Sequence, residues 1–261
     1  MGRQLEPILS AYYNFYARPS VDRDQDITYY VELAKQTGGP VIELGCGIGR
    51  ISIAIAQAGI DVIGVEFSAE KLAFAKQRAA DLGLSDRIKW IESSSTNFQL
   101  PGTVCPLVIM PDRSFLQLVN VRDQLRTLKA IRRHLNDGGI FAFHAFVPHM
   151  RKLLEMEGKY TFRGTFPSGN EELEVYDFME LDTFNQLANI TRYIERFDQQ
   201  GNSIDRTKTK LRLRYIFPAE LSHLLAVCGF KVEHRYGSFY RAPFEATSEE
   251  LIVEAVKIVR R

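Results

Sequence analysis

Three glycines at alternate positions, Gly45, Gly47 and Gly49, lie in the run Val41-Ile-Glu-Leu-Gly-Cys-Gly-Ile-Gly-Arg50. Glycine has no Cβ, so its backbone can close on a ligand and adopt dihedrals that other residues avoid. Between a strand and a helix, such a loop suits a nucleotide-bearing cofactor. A dinucleotide fingerprint wants its last glycine where Arg50 stands. Glu43 lies just ahead of the loop, where a carboxylate would repel a pyrophosphate but suits a cofactor with an ammonium group. Glu66 follows 17 residues after Gly49, placed to accept hydrogen bonds from both hydroxyls of a ribose. Phe67 beside it offers a flat apolar face for adenine. Arg50 and Glu43 both count against a nicotinamide-dependent oxidoreductase, which stays open as a weaker reading.

Three other residues are candidates for catalysis: Asp112, His144 and Tyr16. Asp112 follows a fourth apolar run and could orient an amine or accept its proton; a turn or cap aspartate is the structural alternative. His144 stands in a fifth apolar run, with His149 just past it. Histidine titrates near neutrality and suits deprotonation of a hydroxyl or ammonium, although strand histidines are more often packed. Tyr16 closes a dense aromatic patch with Tyr12, Tyr13 and Phe15, which reads as a lid over a cofactor or as a packed helix face. Arg241 and the aromatics around it either line a pocket or form a packed connection. His134, near a helix C-terminus, reads as structural.

The elements that must hold these residues follow from hydrophobic period and breakers. Residues 1–37 read as helix with aromatic interruptions, stopped by Gly38-Gly39-Pro40. Val41–Leu44 is a strand, Ile51–Ala58 a helix, Asp61–Glu66 a strand, and a helix capped by Ser68 runs to about Leu82. Strands follow at Ile88–Ile91, Val104–Met110 and Ile140–Phe146, with a helix over Asp123–Leu135 before the last. This alternation predicts an α/β fold with an open parallel sheet and helices on both faces. Ligands of such sheets bind beyond the carboxyl ends of the strands. After Pro148 the pattern turns to polar–apolar alternation in 173–180, 187–197 and 208–217, with a turn at Gln200-Gly-Asn202, so an antiparallel insertion is expected. A helix over Pro218–Cys228 and strands over Phe230–Tyr236 and Leu251–Val259 return to the first pattern.

Residues 41–78 resemble the opening of class I S-adenosylmethionine-dependent methyltransferases, whose first motif runs acidic-x-G-x-G-x-G. Leu107–Leu118 and Arg133–Gly139 resemble the matching later regions of bacterial small-molecule members. The resemblance implies a doubly wound, Rossmann-like, mostly parallel seven-stranded sheet in a single domain over 1–261. Its parts would be a cap (1–37), a cofactor-binding core (38–147), an antiparallel β insertion (148–217) and a completion of the sheet (218–261). It also implies S-adenosyl-L-methionine as cofactor and S-adenosyl-L-homocysteine as product. Gly45, Cys46, Gly47 and Gly49 would wrap the methionine part, and Glu43 would approach its ammonium through water or backbone. Glu66 would hold the ribose, with Phe67 at the adenine. The family often has an acidic residue near the adenine amino group; that position falls at Ser94, with Ser95 beside it. The implied reaction is in-line methyl transfer to nitrogen or oxygen of a small metabolite. A protein of the same fold that binds the cofactor without turnover is the alternative.

Composition narrows the rest. Across 261 residues, 33 basic and 32 acidic side chains leave a formal net charge of +1, without the basic surplus of nucleic-acid binders. The Pro-Pro clamp of nucleic-acid amino-methyltransferases is also absent, since Met110-Pro-Asp-Arg113 stands in its place. Three scattered cysteines, Cys46, Cys105 and Cys228, offer no paired spacing for a metal. No apolar run spans a bilayer and no signal core opens the chain, so a cytoplasmic protein with a small-molecule substrate is expected. Exposed edges of the insertion could pair in a homodimer.

Overall fold

The computed structural model describes residues 7–16 and 25–259. In chain order the elements are α1 (Pro7–Tyr16), α2 (Gln25–Thr37), β1 (Val41–Leu44), α3 (Arg50–Gln57), β2 (Val62–Glu66), α4 (Ala69–Asp81), β3 (Ile88–Glu92) and β4 (Cys105–Met110). A 3-10 turn (Ser114–Gln117), α5 (Val121–His134), β5 (Leu135–Phe146) and α6 (Met150–Met156) come next. Then follow β6 (Tyr160–Ser168), β7 (Glu171–Asp182), β8 (Leu187–Phe197), β9 (Ser203–Arg214), α7 (Pro218–Val227), β10 (Phe230–Tyr236) and β11 (Glu250–Lys257). The chain divides into two compact units, one of residues 21–147 and 216–261, the other of 1–20 and 148–215.

The larger unit is built on a seven-stranded sheet in the order β10-β11-β5-β4-β1-β2-β3. The five strands from β5 to β3 run parallel, and β10 and β11 are antiparallel to their neighbours. β1 and β2 are buried along their whole length, as a central parallel strand covered on both faces must be. Side-chain alternation then assigns the faces. Ile140 and Ala142 of β5 join a cluster with Tyr29, Tyr30 and Leu33 of α2 and Ile51, Ile53 and Ile55 of α3. Phe141 and Phe143 point the other way, stacked 4.8 Å apart, with Phe115 and Phe230 beside them. This is the doubly wound arrangement that the alternation of elements predicts.

Local chemistry explains the helix ends. Gly38, in the left-handed region at φ 77°, ends α2, and its N–H donates to the Ala34 carbonyl at 2.9 Å. The Ser68 hydroxyl accepts from the Lys71 N–H at 3.3 Å and starts α4, as expected. α5 begins two residues earlier than its apolar period suggests, because Asn120 caps it through the Asp123 N–H at 2.9 Å.

The smaller unit is a four-stranded antiparallel meander, β6-β7-β8-β9, with α1 on one face. Ile8 and Tyr12 pack there against Phe166, Leu173, Val175 and Ile194. Asp177 and Arg192, opposite each other on β7 and β8, form a two-bond ion pair at 2.8 Å, and Arg192 also donates to the Tyr12 hydroxyl at 2.8 Å. The other face carries an aromatic strip: Tyr160 against Phe178 and Tyr193, Phe162 against Tyr176, and Arg206 over Tyr193. The turn before β9 is tied by Asp198, which accepts from the Gln200 and Asn202 N–H groups.

The sequence pattern predicts three strands here, and the structure has four. β6 escapes the pattern because it breaks alternation. Its register shifts between Phe162 and Gly164, Pro167 removes a donor, and most of its side chains are exposed or half-buried on both faces. β9 also starts earlier than predicted, at Ser203, and ends at Arg214, because its first residues are largely polar on both faces.

Candidate active site

Parallel pairing brings the carboxyl ends of β1, β2 and β4 to one edge of the larger unit's sheet, Leu44 beside Val65 and Glu43 beside Ile109. The glycine loop leaves β1 at that edge. The Gly45 and Cys46 N–H groups donate to the Val65 carbonyl at 2.8 and 3.1 Å, which pins the loop to β2. The glycines then serve different ends. A Cβ on Gly49 would come within 2.7 Å of Cη2 of Trp90, so Gly49 is required by packing. A Cβ on Gly47 would meet nothing within 4 Å, although its φ of 54° is left-handed. Gly47 therefore borders open space, where a ligand can lie against the backbone.

Glu66 holds this loop. Its two carboxylate oxygens accept from the Gly47 N–H at 3.0 Å and the Ser68 N–H at 2.9 Å. Each oxygen keeps one lone pair, enough to accept from a pair of hydroxyls. Phe67, next in the chain, is 69% exposed, so a flat ring stands free beside that carboxylate. Glu43 lies deeper: it is buried and accepts from the Ser52 hydroxyl. Burial pushes its carboxyl up to about 8, against the opposing effects of Ser52 and Arg50. Cys46 is buried, and burial raises its thiol well above the ordinary value, so it stays protonated and packs as a small apolar residue.

Arg50 is committed elsewhere. Its guanidinium meets the Asp26 carboxylate through two bonds, Nη1 to Oδ1 at 2.9 Å and Nη2 to Oδ2, tying the first turn of α2 to the end of the glycine loop. Ser94 closes a turn after β3, accepting from the Thr96 N–H at 3.2 Å and sharing a hydrogen bond with the Thr96 hydroxyl at 2.9 Å; Ser95 is half-buried beside it.

At the end of β4 two successive non-glycine residues, Asp112 and Arg113, are left-handed at φ 52° and 56°. Such pairs are uncommon and carry a conformational cost. Asp112 is no helix cap: its carboxylate makes no hydrogen bond among the described residues, and Arg113 precedes the 3-10 turn. The side chain reaches solvent but is closely ringed by protein, which holds its carboxyl above the usual range, with Arg50 opposing. Arg113 pairs with Glu250 and lies 5.7 Å over the Phe146 ring.

His144 lies one residue past the point where β4 ends against β5. Its Nδ1 is 3.0 Å from the Tyr30 hydroxyl, and its ring meets Phe239 edge-on at 4.9 Å. Burial lowers the imidazole to about 3, and the Arg113 and Arg50 charges act in the same direction. The ring is therefore neutral throughout the physiological range. Tyr29 of the same helix donates to Glu254 at 2.7 Å.

Tyr16 belongs to the smaller unit, where its ring lies 4.7 Å from Tyr12 and 6.1 Å from Phe166. His134 is structural, as expected, with Nδ1 donating to the Ala130 carbonyl and Nε2 accepting from the Leu100 N–H. Arg241 sits 5.7 Å over Tyr29 and donates to Gln36, a packed connection to α2. No metal-binding cluster exists among the described residues. Local sequence pattern does not mark Asp26, Tyr30 and Ser52 as site residues. Asp26 and Tyr30 lie four apart on α2 and share a face, and Ser52 is the lone hydroxyl in an otherwise apolar helix opening; those were the available signals.

Residues 41–139 match the methyltransferase domain family. The Bacillus subtilis protein YqeM, itself classed as a methyltransferase, is 28% identical over 241 residues, covering 88% of this chain and 89% of its own. The CcbJ methyltransferase of Streptomyces caelestis superposes with a TM-score of 0.75 at 22% identity, over 93% of this chain and 99% of that one. CalS10 of Micromonospora echinaspora, an amino pentose methyltransferase solved with S-adenosylmethionine, superposes with a TM-score of 0.70 at 16% identity, over 98% and 99%. Residues 41–139 thus match a methyltransferase domain, and the chain shares its fold with solved S-adenosylmethionine-dependent methyltransferases.

Proposed function

We propose that the protein transfers a methyl group from S-adenosyl-L-methionine to a nitrogen, or alternatively an oxygen, of a small-molecule metabolite. The observation that carries this reading is the Gly47–Glu66 cradle: open space beside a left-handed glycine, a loop-holding carboxylate with spare lone pairs, and the free ring of Phe67. These fit the methionine, ribose and adenine parts of the cofactor. Gly45, Cys46, Gly47 and Gly49 would line the methionine chain, Glu66 the ribose hydroxyls, and Phe67, Ser94 and Ser95 the adenine. Glu43, beneath the loop, would act on the ammonium through backbone or water.

When bound, the cofactor supplies an activated methyl on a sulfonium, open to in-line displacement. What the chain must add is alignment of the acceptor and a place for its proton. Asp112 suits the second task. Its carboxylate has no partner among the described residues and its carboxyl is held above the ordinary range, so it can orient an amine and take its proton. His144, at the end of β5, would contact the acceptor. Tyr16 is retained as an acceptor-facing candidate on the strength of its aromatic setting alone. Solved proteins of the same fold include a sugar N-methyltransferase and a glycopeptide N-methyltransferase, which supports nitrogen over oxygen. No helix among the described residues is long and apolar enough to cross a membrane, and we place the protein in the cytoplasm without a nucleic-acid partner. The exposed aromatic strip of the meander, with Tyr160 and Phe162 more than half exposed, is the surface through which we propose a homodimer forms.

Calorimetry with S-adenosyl-L-homocysteine tests the reading. Wild type should bind it and ignore nicotinamide dinucleotides. Glu66→Ala should lose about 1–3 kcal/mol of binding, the range for lost charge-assisted hydrogen bonds. Unchanged affinity in Glu66→Ala, or binding of the dinucleotide instead, would overturn it.

A further inference from the structure

Tyr30 is wholly buried, and its hydroxyl has one hydrogen-bond partner among the described residues, Nδ1 of His144 at 3.0 Å. A hydroxyl carries one proton to donate, while a neutral imidazole carries its single proton on one nitrogen or the other. Two arrangements are therefore possible. In the first, Tyr30 donates to the Nδ1 lone pair and the ring proton sits on Nε2. In the second, Nδ1–H donates to the Tyr30 oxygen, and the hydroxyl proton has no acceptor.

The surroundings decide between them. Tyr30 packs with Tyr29, Leu33 and Ile252, and the Tyr29 hydroxyl is already committed to Glu254. Among the described residues no other acceptor lies within hydrogen-bond reach of the Tyr30 hydroxyl. A buried donor left unmade costs its full desolvation, whereas the first arrangement satisfies both groups. Both ring nitrogens bearing protons is not an option here, because burial and the two neighbouring guanidiniums keep the ring neutral. His134 shows the same accounting with the opposite result: its Nδ1 faces a carbonyl and its Nε2 an N–H, so its proton must sit on Nδ1.

We infer that His144 is held by Tyr30 as the Nε2–H tautomer and presents a hydrogen-bond donor to the substrate, with Tyr30 as its positioning residue. Nε2 has no partner among the described residues, yet it is not among the polar atoms sealed from solvent. A neutral N–H at the end of β5 recognises a lone pair, so it selects an acceptor molecule with an oxygen beside the atom to be methylated, such as a hydroxyl or ring ether. It cannot act as the base, since its one free lone pair is occupied by Tyr30. Proton removal then rests with Asp112. The substrate contact depends on the function proposed above; the tautomer does not.

Long-range proton–nitrogen correlation spectra of the 15N-labelled protein at neutral pH test this directly, with His144→Gln identifying the signals. The expected spectrum shows a protonated Nε2 and an unprotonated Nδ1. A protonated Nδ1, or two signals averaged by exchange, would overturn the inference. In Tyr30→Phe the bias should relax, and the two nitrogens should move toward a common average. A Tyr30→Phe spectrum identical to wild type would remove Tyr30 from its role. Where that variant fails to fold, the wild-type Tyr30 hydroxyl proton decides: it should exchange slowly and correlate with Nδ1, and its absence counts against the pairing. Loss of S-adenosyl-L-homocysteine binding would sink the proposed function and leave the tautomer untouched.

Discussion

Glu43→Gln should stabilise the larger unit, and by an amount that depends on pH. Glu43 is buried with its carboxyl at about 8, against an ordinary 4.5. Between those two values the native state binds a proton that the unfolded chain has released. Stability from this group is therefore fully present below about 4.5, falls as pH rises, and levels off above about 8. Each unit of pKa is worth about 1.4 kcal/mol, so the full loss approaches ~5 kcal/mol. Glutamine has the same shape, cannot ionise, and keeps a carbonyl oxygen for the Ser52 hydroxyl. The variant should match wild type near pH 5, exceed it by roughly 3 kcal/mol at pH 7, and hold a constant advantage above pH 8. Urea unfolding followed by fluorescence of Trp90, the single tryptophan, reports this unit alone. A stability difference that stays flat from pH 5 to pH 9 would refute the reasoning, because it would mean that Glu43 enters the native state ionised.

Other consequences are open to simple measurements. Gly47→Ala should fold with a loss of about 1 kcal/mol for its left-handed backbone yet bind S-adenosyl-L-homocysteine far more weakly, whereas Gly49→Ala, driven into Trp90, should show its main effect in the melting curve. The reverse pattern in paired melting and binding experiments would contradict the loop assignment. Asp177→Ala leaves Arg192 without its two-bond partner and should cost the smaller unit about 3 kcal/mol; an unchanged urea midpoint would deny that pair its role. Phe162→Ser, on the exposed aromatic strip, should lower the mass measured by light scattering from dimer toward monomer, and a monomeric wild type would dispose of the proposed interface.

What the sequence shows about this fold is governed by locality. β1, β2 and the helix after Gly49 are legible because a buried parallel strand must be apolar throughout and a left-handed turn needs glycine. Ser68 reads as a cap because its partner, Lys71, is three residues away. β6 hides because a bulge and a proline erase its period. The site divides along the same line. Gly47 and Glu66 stand out through chain position, but Asp26 and Tyr30 gain their meaning from Arg50 and His144, which are 24 and 114 residues distant. Pairings of that kind leave no trace in local pattern. The character of Asp112 depends on the protein that rings it and that of His144 on burial, each with neighbouring charges, so His144 reads from sequence as a titrating base and appears in the fold as a neutral ring.

The order of strands also bears on synthesis. β5 is complete by Phe146, but its neighbour β11 begins only at Glu250. At about 5–20 residues per second, the ribosome needs roughly 5–20 s to supply that partner. During this interval the nascent sheet ends in an open β5 edge, with Phe141 and Phe143 beside it, while the whole of the meander is still being made. An unpaired apolar edge recruits other chains. The newborn polypeptide is therefore most prone to aggregate in this window, and a chaperone that holds strand edges would act on it there.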